Sequence, residues 1–110
     1  TLEIWKRSHL LTLEIYKVTK KFPKEELFGL TSQMRRSVYS IPTNIAEGCG
    51  RNSNAQLVNF LQIATGSCSE IQYQLMLSKE LLCITEELFS ELHKEAVEIR
   101  KMIFKYSEKL

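Results

Sequence analysis

The chain has 110 residues, a formal net charge of +2 at pH 7 and 44% hydrophobic residues. This length suits one domain with a single core, and the apolar content is too high for intrinsic disorder. Asp is absent while Glu occurs thirteen times, and because Glu tolerates helix interiors better than Asp, the composition indicates a nearly all-helical protein.

Charge is distributed unevenly along the chain. Residues 1–51 carry nine Lys and Arg against five Glu, whereas residues 52–110 carry six against eight. This asymmetry is milder than the basic signature of a dedicated nucleic-acid-binding domain. The odd number of cysteines, three, is typical of reduced thiols, so we expect a cytoplasmic protein. No apolar run approaches the roughly 20 residues that a membrane span requires, so we expect no membrane partner.

The first predicted helix covers about residues 3–21. Its apolar stripe recurs at steps of three and four, with Ser8 at the one polar step. The stripe consists of Leu2, Trp5, Leu11, Ile15, Val18 and Phe22, and it is widened by Leu10 and Tyr16. Lys17, Lys20 and Lys21 gather in the last turn. There they either compensate the negative end of the helix dipole or face phosphate groups.

The second predicted helix, residues 24–48, carries two stripes of different chemistry. The apolar stripe is Leu27, Leu30, Met34, Val38, Ile41 and Ile45. The polar stripe, about 100° round the helix, is Gln33, Arg36 or Ser37, Ser40, Asn44 and Glu47. Polar groups on the flank of a core face usually bond to a neighbouring helix or to another subunit. Pro42 leaves both stripes in phase, which predicts a continuous helix kinked at Pro42, with Ser40 and Thr43 partly satisfying the carbonyl that Pro42 frees.

The third predicted helix, residues 54–82, has the spacing of a bundle seam. Its apolar positions step by four and three along Leu57, Leu61, Ala64, Cys68, Ile71, Leu75, Ser78 and Leu82. The small residues 64–69 predict the tightest helix crossing. A fourth helix, residues 86–107, starts after a Thr85 cap. Four amphipathic helices with short connections predict one all-α domain, residues 1–110, folded as an antiparallel up-down-up-down four-helix bundle.

An antiparallel pairing of the second and third helices would bring their polar residues to the same level. With a turn near Arg51, Gln33 and Arg36 are expected beside Ser67 and Glu70. This register predicts a partly buried ion pair between Arg36 and Glu70.

The residues that enzymes and metal sites of helical bundles require are missing. Neither His9 nor His93 follows a Glu at the Glu-x-x-His spacing, the cysteines have no C-x-x-C spacing, and no triad with Asp can form. We therefore expect no catalysis, no metal and no cofactor. The segment Arg51-Asn52-Ser53 is either a helix cap with a loop arginine or a site for a phosphate or carboxylate.

The segment from Gln33 to Arg51 reads Q-x-R-R-S-x-x-S-I-P-x-N-I-A-E-G-x-x-R. It resembles the bacterial family of four-helix-bundle proteins encoded in intervening sequences of large-subunit ribosomal RNA genes, and Phe60 to Glu70 matches as well. The resemblance implies a ring-shaped homo-oligomer, a homopentamer, without enzymatic activity. It also implies a distant likeness to the accessory protein of diversity-generating retroelements, a pentamer thought to bind a reverse transcriptase and nucleic acid.

Two functions therefore compete. The first is an RNA-associated adaptor, which contacts RNA or a nucleic-acid-handling protein through Lys17, Lys20, Lys21, Lys24, Arg35 and Arg51. The second is a homo-oligomeric protein scaffold, in which the motif residues are structural or intersubunit residues: Gln33, Arg36, Ser40, Pro42, Asn44, Glu47, Ser67 and Glu70. A small-molecule-binding bundle is a third possibility, but the core shows no polar constellation for it.

Overall fold

Four helices form the protein in a computed structural model that describes all 110 residues. They are α1 (Leu2–Thr19), α2 (Ser32–Cys49), α3 (Asn54–Glu80) and α4 (Glu86–Glu108). Consecutive helices pack against each other and α1 also contacts α4, so α1 and α3 lie at opposite corners of the bundle. The particle measures 43 × 24 × 18 Å. The predicted fold class, an up-down-up-down four-helix bundle, is confirmed.

The core follows the predicted stripes of α2 and α3 except at Leu27 and Leu82, whereas α1 is rotated. Leu2 and Leu10 were expected inside, but they are 67% and 61% exposed. Ile4 and Thr12 are buried instead. The rotation is possible because Thr12 hydrogen-bonds to the carbonyl of Ser8 (2.8 Å), so burying its hydroxyl leaves no unpaired donor.

The start of the second predicted helix is broken at Gly29. A 3₁₀ turn (Lys24–Glu26) and a π-helical turn (Leu27–Thr31) precede α2. Gly29 adopts non-helical dihedral angles (φ −113°, ψ −107°), which its missing side chain permits. Leu27, predicted for the core, is 48% exposed, whereas Leu30 of the same turn is buried, so the core stripe begins at Leu30. The regular helix therefore begins about two turns later than predicted, and it continues through Pro42 as expected.

Pro42 deprives the carbonyl of Val38 of its helical donor. A partial replacement comes from α1, because the single hydroxyl proton of Thr12 is shared between the Ser8 carbonyl (2.8 Å) and the Val38 carbonyl (3.2 Å). The prediction that Ser40 and Thr43 supply this bond is wrong. A threonine in a helix reaches the carbonyl four residues back, and Thr43 accordingly donates to Tyr39 (2.7 Å).

The third helix ends at Glu80, two residues earlier than predicted. Two bonds close its end: Cys83 N–H donates to the Ser78 carbonyl (2.8 Å) and Leu82 N–H to the Lys79 carbonyl (3.0 Å). This is a Schellman motif, whose left-handed position usually holds glycine. Here Leu82 occupies it, with φ 63° and 89% of its surface exposed, so its assignment to the core is wrong.

Candidate functional site

The polar stripe of α2 meets α3 in a hydrogen-bonded crossing. Ser67 Oγ donates to Ser40 Oγ at 2.9 Å. Asn44 Nδ2 donates to the carbonyl and to the hydroxyl of Ser40, at 2.8 and 2.9 Å. Ser40 and Ser67 therefore join α2 to α3 within one protomer, and Asn44 bonds to Ser40 from within α2.

Beside this crossing lies an open cleft of about 310 Å³, which we call the polar cleft. It is lined by Gln33, Arg36, Ser37, Tyr39, Ser40 and Glu70. Arg36 and Glu70 are both exposed, and neither forms an ion pair within 4 Å, so the predicted Arg36–Glu70 pair is wrong. The register, with Ser40 opposite Ser67, brings Arg36 and Glu70 to the same level beside one cleft, but their exposed side chains do not meet.

An apolar depression of about 380 Å³ adjoins the polar cleft, and Arg36 and Tyr39 line both. Its other walls include Leu27 and Phe28. Phe28 is 92% exposed and Tyr39 is 44% exposed. The unpaired charged groups Arg36 and Glu70 and the exposed rings of Phe28 and Tyr39 therefore adjoin each other. We call this surface the outer face of α2.

Arg35, predicted to contact nucleic acid, is occupied within the chain. Its Nε donates to Thr19 Oγ1 (2.9 Å) and its Nη2 donates to the Tyr16 carbonyl (3.3 Å). Its guanidinium carbon lies 4.7 Å from the centroid of the Tyr16 ring. Arg35 therefore joins α2 to the negative end of α1, and these two bonds use two of its five N–H donors.

The remaining predicted basic residues are divided between the two ends of the bundle. Lys17, Lys20, Lys21 and Lys24 are all exposed around the end of α1, and none forms an ion pair. Arg51 lies at the other end, beyond α2, where it pairs with Glu47 at 3.1 Å. We call the four lysines the lysine end.

The segment after Arg51 has the features of an ordinary helix start. Ser53 Oγ accepts a hydrogen bond from the backbone N–H of Gln56 at 3.2 Å. The guanidinium of Arg51 lies 4.8 Å from the centroid of the Phe60 ring. The geometry therefore favours the cap over an anion site.

The cysteines differ in environment. Burial raises the pKa of the Cys68 thiol to about 12. Burial and the neighbouring Glu26 also raise the pKa of Cys83, whereas Cys49 is exposed. No three His, Cys or Glu side chains lie close enough together to hold a metal ion. No helix is both long enough and apolar enough to cross a bilayer.

Sequence reasoning missed two further sets of exposed apolar side chains. Leu10 and Leu13 project from α1, and Ile63 and Tyr73 from α3. The sequence contains the pattern that would have indicated them, because each set recurs at a helical spacing on the side opposite the core stripe. The core stripe of each helix contains more apolar residues, so only that stripe was assigned.

Comparison with known proteins places the chain in a family. A family model described as "23S rRNA-intervening sequence protein" matches residues 1–105. A crystal structure from Bacteroides thetaiotaomicron, of a protein of unknown function from the S23 ribosomal protein family, is similar with a TM-score of 0.85. The two sequences are 27% identical, over 94% of this chain and 97% of that one. A search of curated proteins gave no match. The chain belongs to the family of 23S rRNA-intervening sequence proteins.

Proposed function

We propose that the protein is a non-catalytic homo-oligomer that associates through the outer face of α2 and contacts RNA through the lysine end. One observation carries the assembly: Arg36 and Glu70 lie unpaired in the polar cleft, beside exposed aromatic rings. Contiguous exposed apolar surface usually marks an interface, and Arg and Tyr are enriched among residues that dominate binding energy. The family resemblance supports a pentamer as the number of subunits.

Light scattering of the purified protein tests the assembly. A mass above the 12.8 kDa of the protomer, at micromolar concentration, is expected. Arg36→Ala should shift the mass towards the protomer and leave helix content unchanged, because Arg36 has no partner inside its own chain. Lys101→Ala, which removes an exposed charge from α4, is the matched control and should keep the wild-type mass. A wild-type protein with the protomer mass would contradict the proposal.

The RNA contact rests on the lysine end. A protomer with a net charge of +2 binds polyanions weakly, but an oligomer repeats the same four lysines in each subunit, and linked weak contacts add through effective concentration. Phosphate contacts release counterions, so retention of ribosomal RNA fragments should fall steeply between low and physiological salt. Little sequence preference is expected, since backbone contacts carry no base readout.

Charge reversal separates this contact from general electrostatics. Lys20, Lys21 and Lys24 changed together to Glu should abolish RNA retention. The control variant changes three exposed lysines of α4 to Glu, Lys94, Lys101 and Lys105, and alters the net charge by the same amount. If the wild-type oligomer retains no RNA at low salt, the homo-oligomeric protein scaffold is the better description.

A further inference from the structure

The side of α3 that faces away from the core carries a second regular stripe, which we call the outer stripe of α3. Its residues recur at steps of three and four: Ile63, Gly66, Glu70, Tyr73, Leu77 and Glu80. Ile63 and Tyr73 are 51% and 58% exposed. A sustained spacing of this kind places residues along one line of a helix and suits contact with another helix. Every member of this stripe except Leu77 is exposed, whereas Leu77 is partly buried and packs against the core.

Gly66 lies within this stripe, and no contact inside the protomer explains why this position is glycine. A Cβ added at Gly66 would have no atom within 4 Å. Gly48, by contrast, is required by packing, because a Cβ there would come within 2.9 Å of Phe60 Cβ. Glycine weakens a helix interior relative to alanine and permits close approach of another backbone. An open Gly66 therefore suits a helix that approaches from outside the chain.

The outward side of α1 carries a stripe of complementary charge, which we call the outer stripe of α1. It consists of Lys6, Leu10, Leu13, Lys17 and Lys20, at steps of four and three. Leu10 and Leu13 are 61% and 53% exposed, and the three lysines are exposed without ion pairs. Two leucines therefore lie between flanking cations.

The two stripes match in spacing and are opposite in charge. On α3, Tyr73 and Leu77 lie between Glu70 and Glu80, which are about 15 Å apart along the helix at 1.5 Å per residue. On α1, the lysines that flank the two leucines, Lys6 and Lys17, are about 17 Å apart on the same measure. Neither glutamate forms an ion pair, and the one lysine of α3, Lys79, already pairs with Glu86 (3.5 Å).

We propose that the outer stripe of α3 in one copy of the chain packs against the outer stripe of α1 in a second copy. The inference rests on the proposed homo-oligomer and adds a second contact to the one through the outer face of α2; Glu70 belongs to both surfaces, because it lines the polar cleft and lies in the outer stripe of α3. The stripes differ and lie at opposite corners of the bundle, so the contact is heterologous, and repeated contacts of this type generate a ring if the rotation closes. Lys6 and Lys17 then serve the subunit contact. Lys20, at the end of the stripe beyond the matched segment, remains for RNA together with Lys21 and Lys24.

Charge reversal on each helix tests the contact by light scattering. A first variant changes Lys6 and Lys17 to Glu, and a second changes Glu70 and Glu80 to Lys. Each should lose association at least tenfold, because like charges then face each other across the contact. The chain that carries all four changes should regain the wild-type mass, since both stripes are reversed together. An equimolar mixture of the two variants should also associate.

A control and a folding measurement make each outcome decisive. Glu87 and Glu91, exposed on α4, changed to Lys should keep the wild-type mass. Helix content by circular dichroism should be the same in every variant. If wild-type protein has the protomer mass, the assembly itself is refuted. If wild-type protein assembles but the first two variants do so equally well, or if the fourfold change restores nothing, only the stripe pairing is refuted.

Gly66→Leu gives a second test that does not depend on charge. The added side chain has open space in the protomer, so helix content should be unchanged or higher. Association should fall at least tenfold because the leucine holds the partner helix away. Undiminished association of Gly66→Leu would overturn the close approach at this position.

Discussion

Replacing Thr12 with Val should destabilise the protein through the carbonyl that Pro42 leaves without a donor. The two side chains have the same shape, so the change removes the hydroxyl that lies 3.2 Å from the Val38 oxygen and leaves the core packing intact. Thr12 is 8% exposed, so water has little access to replace the lost bond. Thr12 shares its single hydroxyl proton between the Val38 carbonyl and the Ser8 carbonyl, which is 2.8 Å away, and the Ser8 carbonyl is affected less because it keeps a helical donor.

A buried carbonyl left without its partner costs about 1–3 kcal/mol. With an unfolding entropy of about 2.1 cal/mol/K per residue, 1 kcal/mol lowers the Tm of a chain of this length by about 4 °C. Thr12→Val should therefore lower the Tm by roughly 4–13 °C on these figures. Urea unfolding followed by circular dichroism at one fixed protein concentration measures the free energy directly.

A double-mutant cycle with Pro42→Ala isolates the cause. Alanine at position 42 supplies an N–H that donates to the Val38 carbonyl, so Thr12→Val should cost less in that background, by about 1 kcal/mol or more. Thr43→Val is the matched control: it removes an exposed hydroxyl and should change stability by less than about 0.5 kcal/mol. An equal cost of Thr12→Val in both backgrounds would refute the assignment of Thr12 as the substitute donor.

Three further changes test the core. Leu61→Ala, at a position 1% exposed, should cost about 2–5 kcal/mol in urea unfolding because it leaves a cavity in the seam; a cost below 1 kcal/mol would mean that the site collapses freely. Gly48→Ala should cost about 1–3 kcal/mol by calorimetry, since the new Cβ meets Phe60 Cβ at 2.9 Å; an unchanged Tm would show that α2 and α3 separate easily. The raised pKa of Cys68 means that its neutral thiol is favoured in the folded state. The stabilisation from the neutral Cys68 thiol is complete below pH 9.0, the ordinary pKa of a thiol, and is lost as the pH rises towards the folded-state pKa of about 12. Cys68→Ala should therefore reduce the loss of stability at alkaline pH. Iodoacetamide at pH 8 should label the exposed Cys49 and spare Cys68, as mass spectrometry would show.

Features set by neighbouring residues were predictable from the sequence. The seam spacing of α3 placed Leu61 and Ile71 in the core, and both are buried. Thr85 was assigned as a cap, and its Oγ1 accepts the Leu88 N–H at 3.1 Å. Such features depend on periodicity and on local hydrogen bonds within a few residues, which the sequence displays directly.

Features set by contacts between distant segments were not predictable. The register of α2 against α3 depends on close packing at Gly48, and the absence of an Arg36–Glu70 pair depends on two exposed side chains whose directions no local pattern specifies. The sequence indicated correctly that Arg36 and Glu70 lie close together. It did not indicate whether they bond to groups of the same chain or to groups of a second chain. The end of α3 was misplaced because a Schellman motif without glycine carries no local signal in the sequence.

Leu82, held in the left-handed conformation at the end of α3, has a consequence for the evolution of the family. An L-residue in this conformation loses roughly 1–2 kcal/mol relative to glycine, which corresponds to a factor of about 5–30 in the folding equilibrium. A glycine at position 82 would therefore be favoured in any lineage where selection acts on stability alone. Retention of a large apolar residue there, against that gain, would indicate that its exposed side chain has a contact to preserve. A survey of homologues at position 82 can thus distinguish members that keep a large apolar residue at the end of α3 from members that have glycine there.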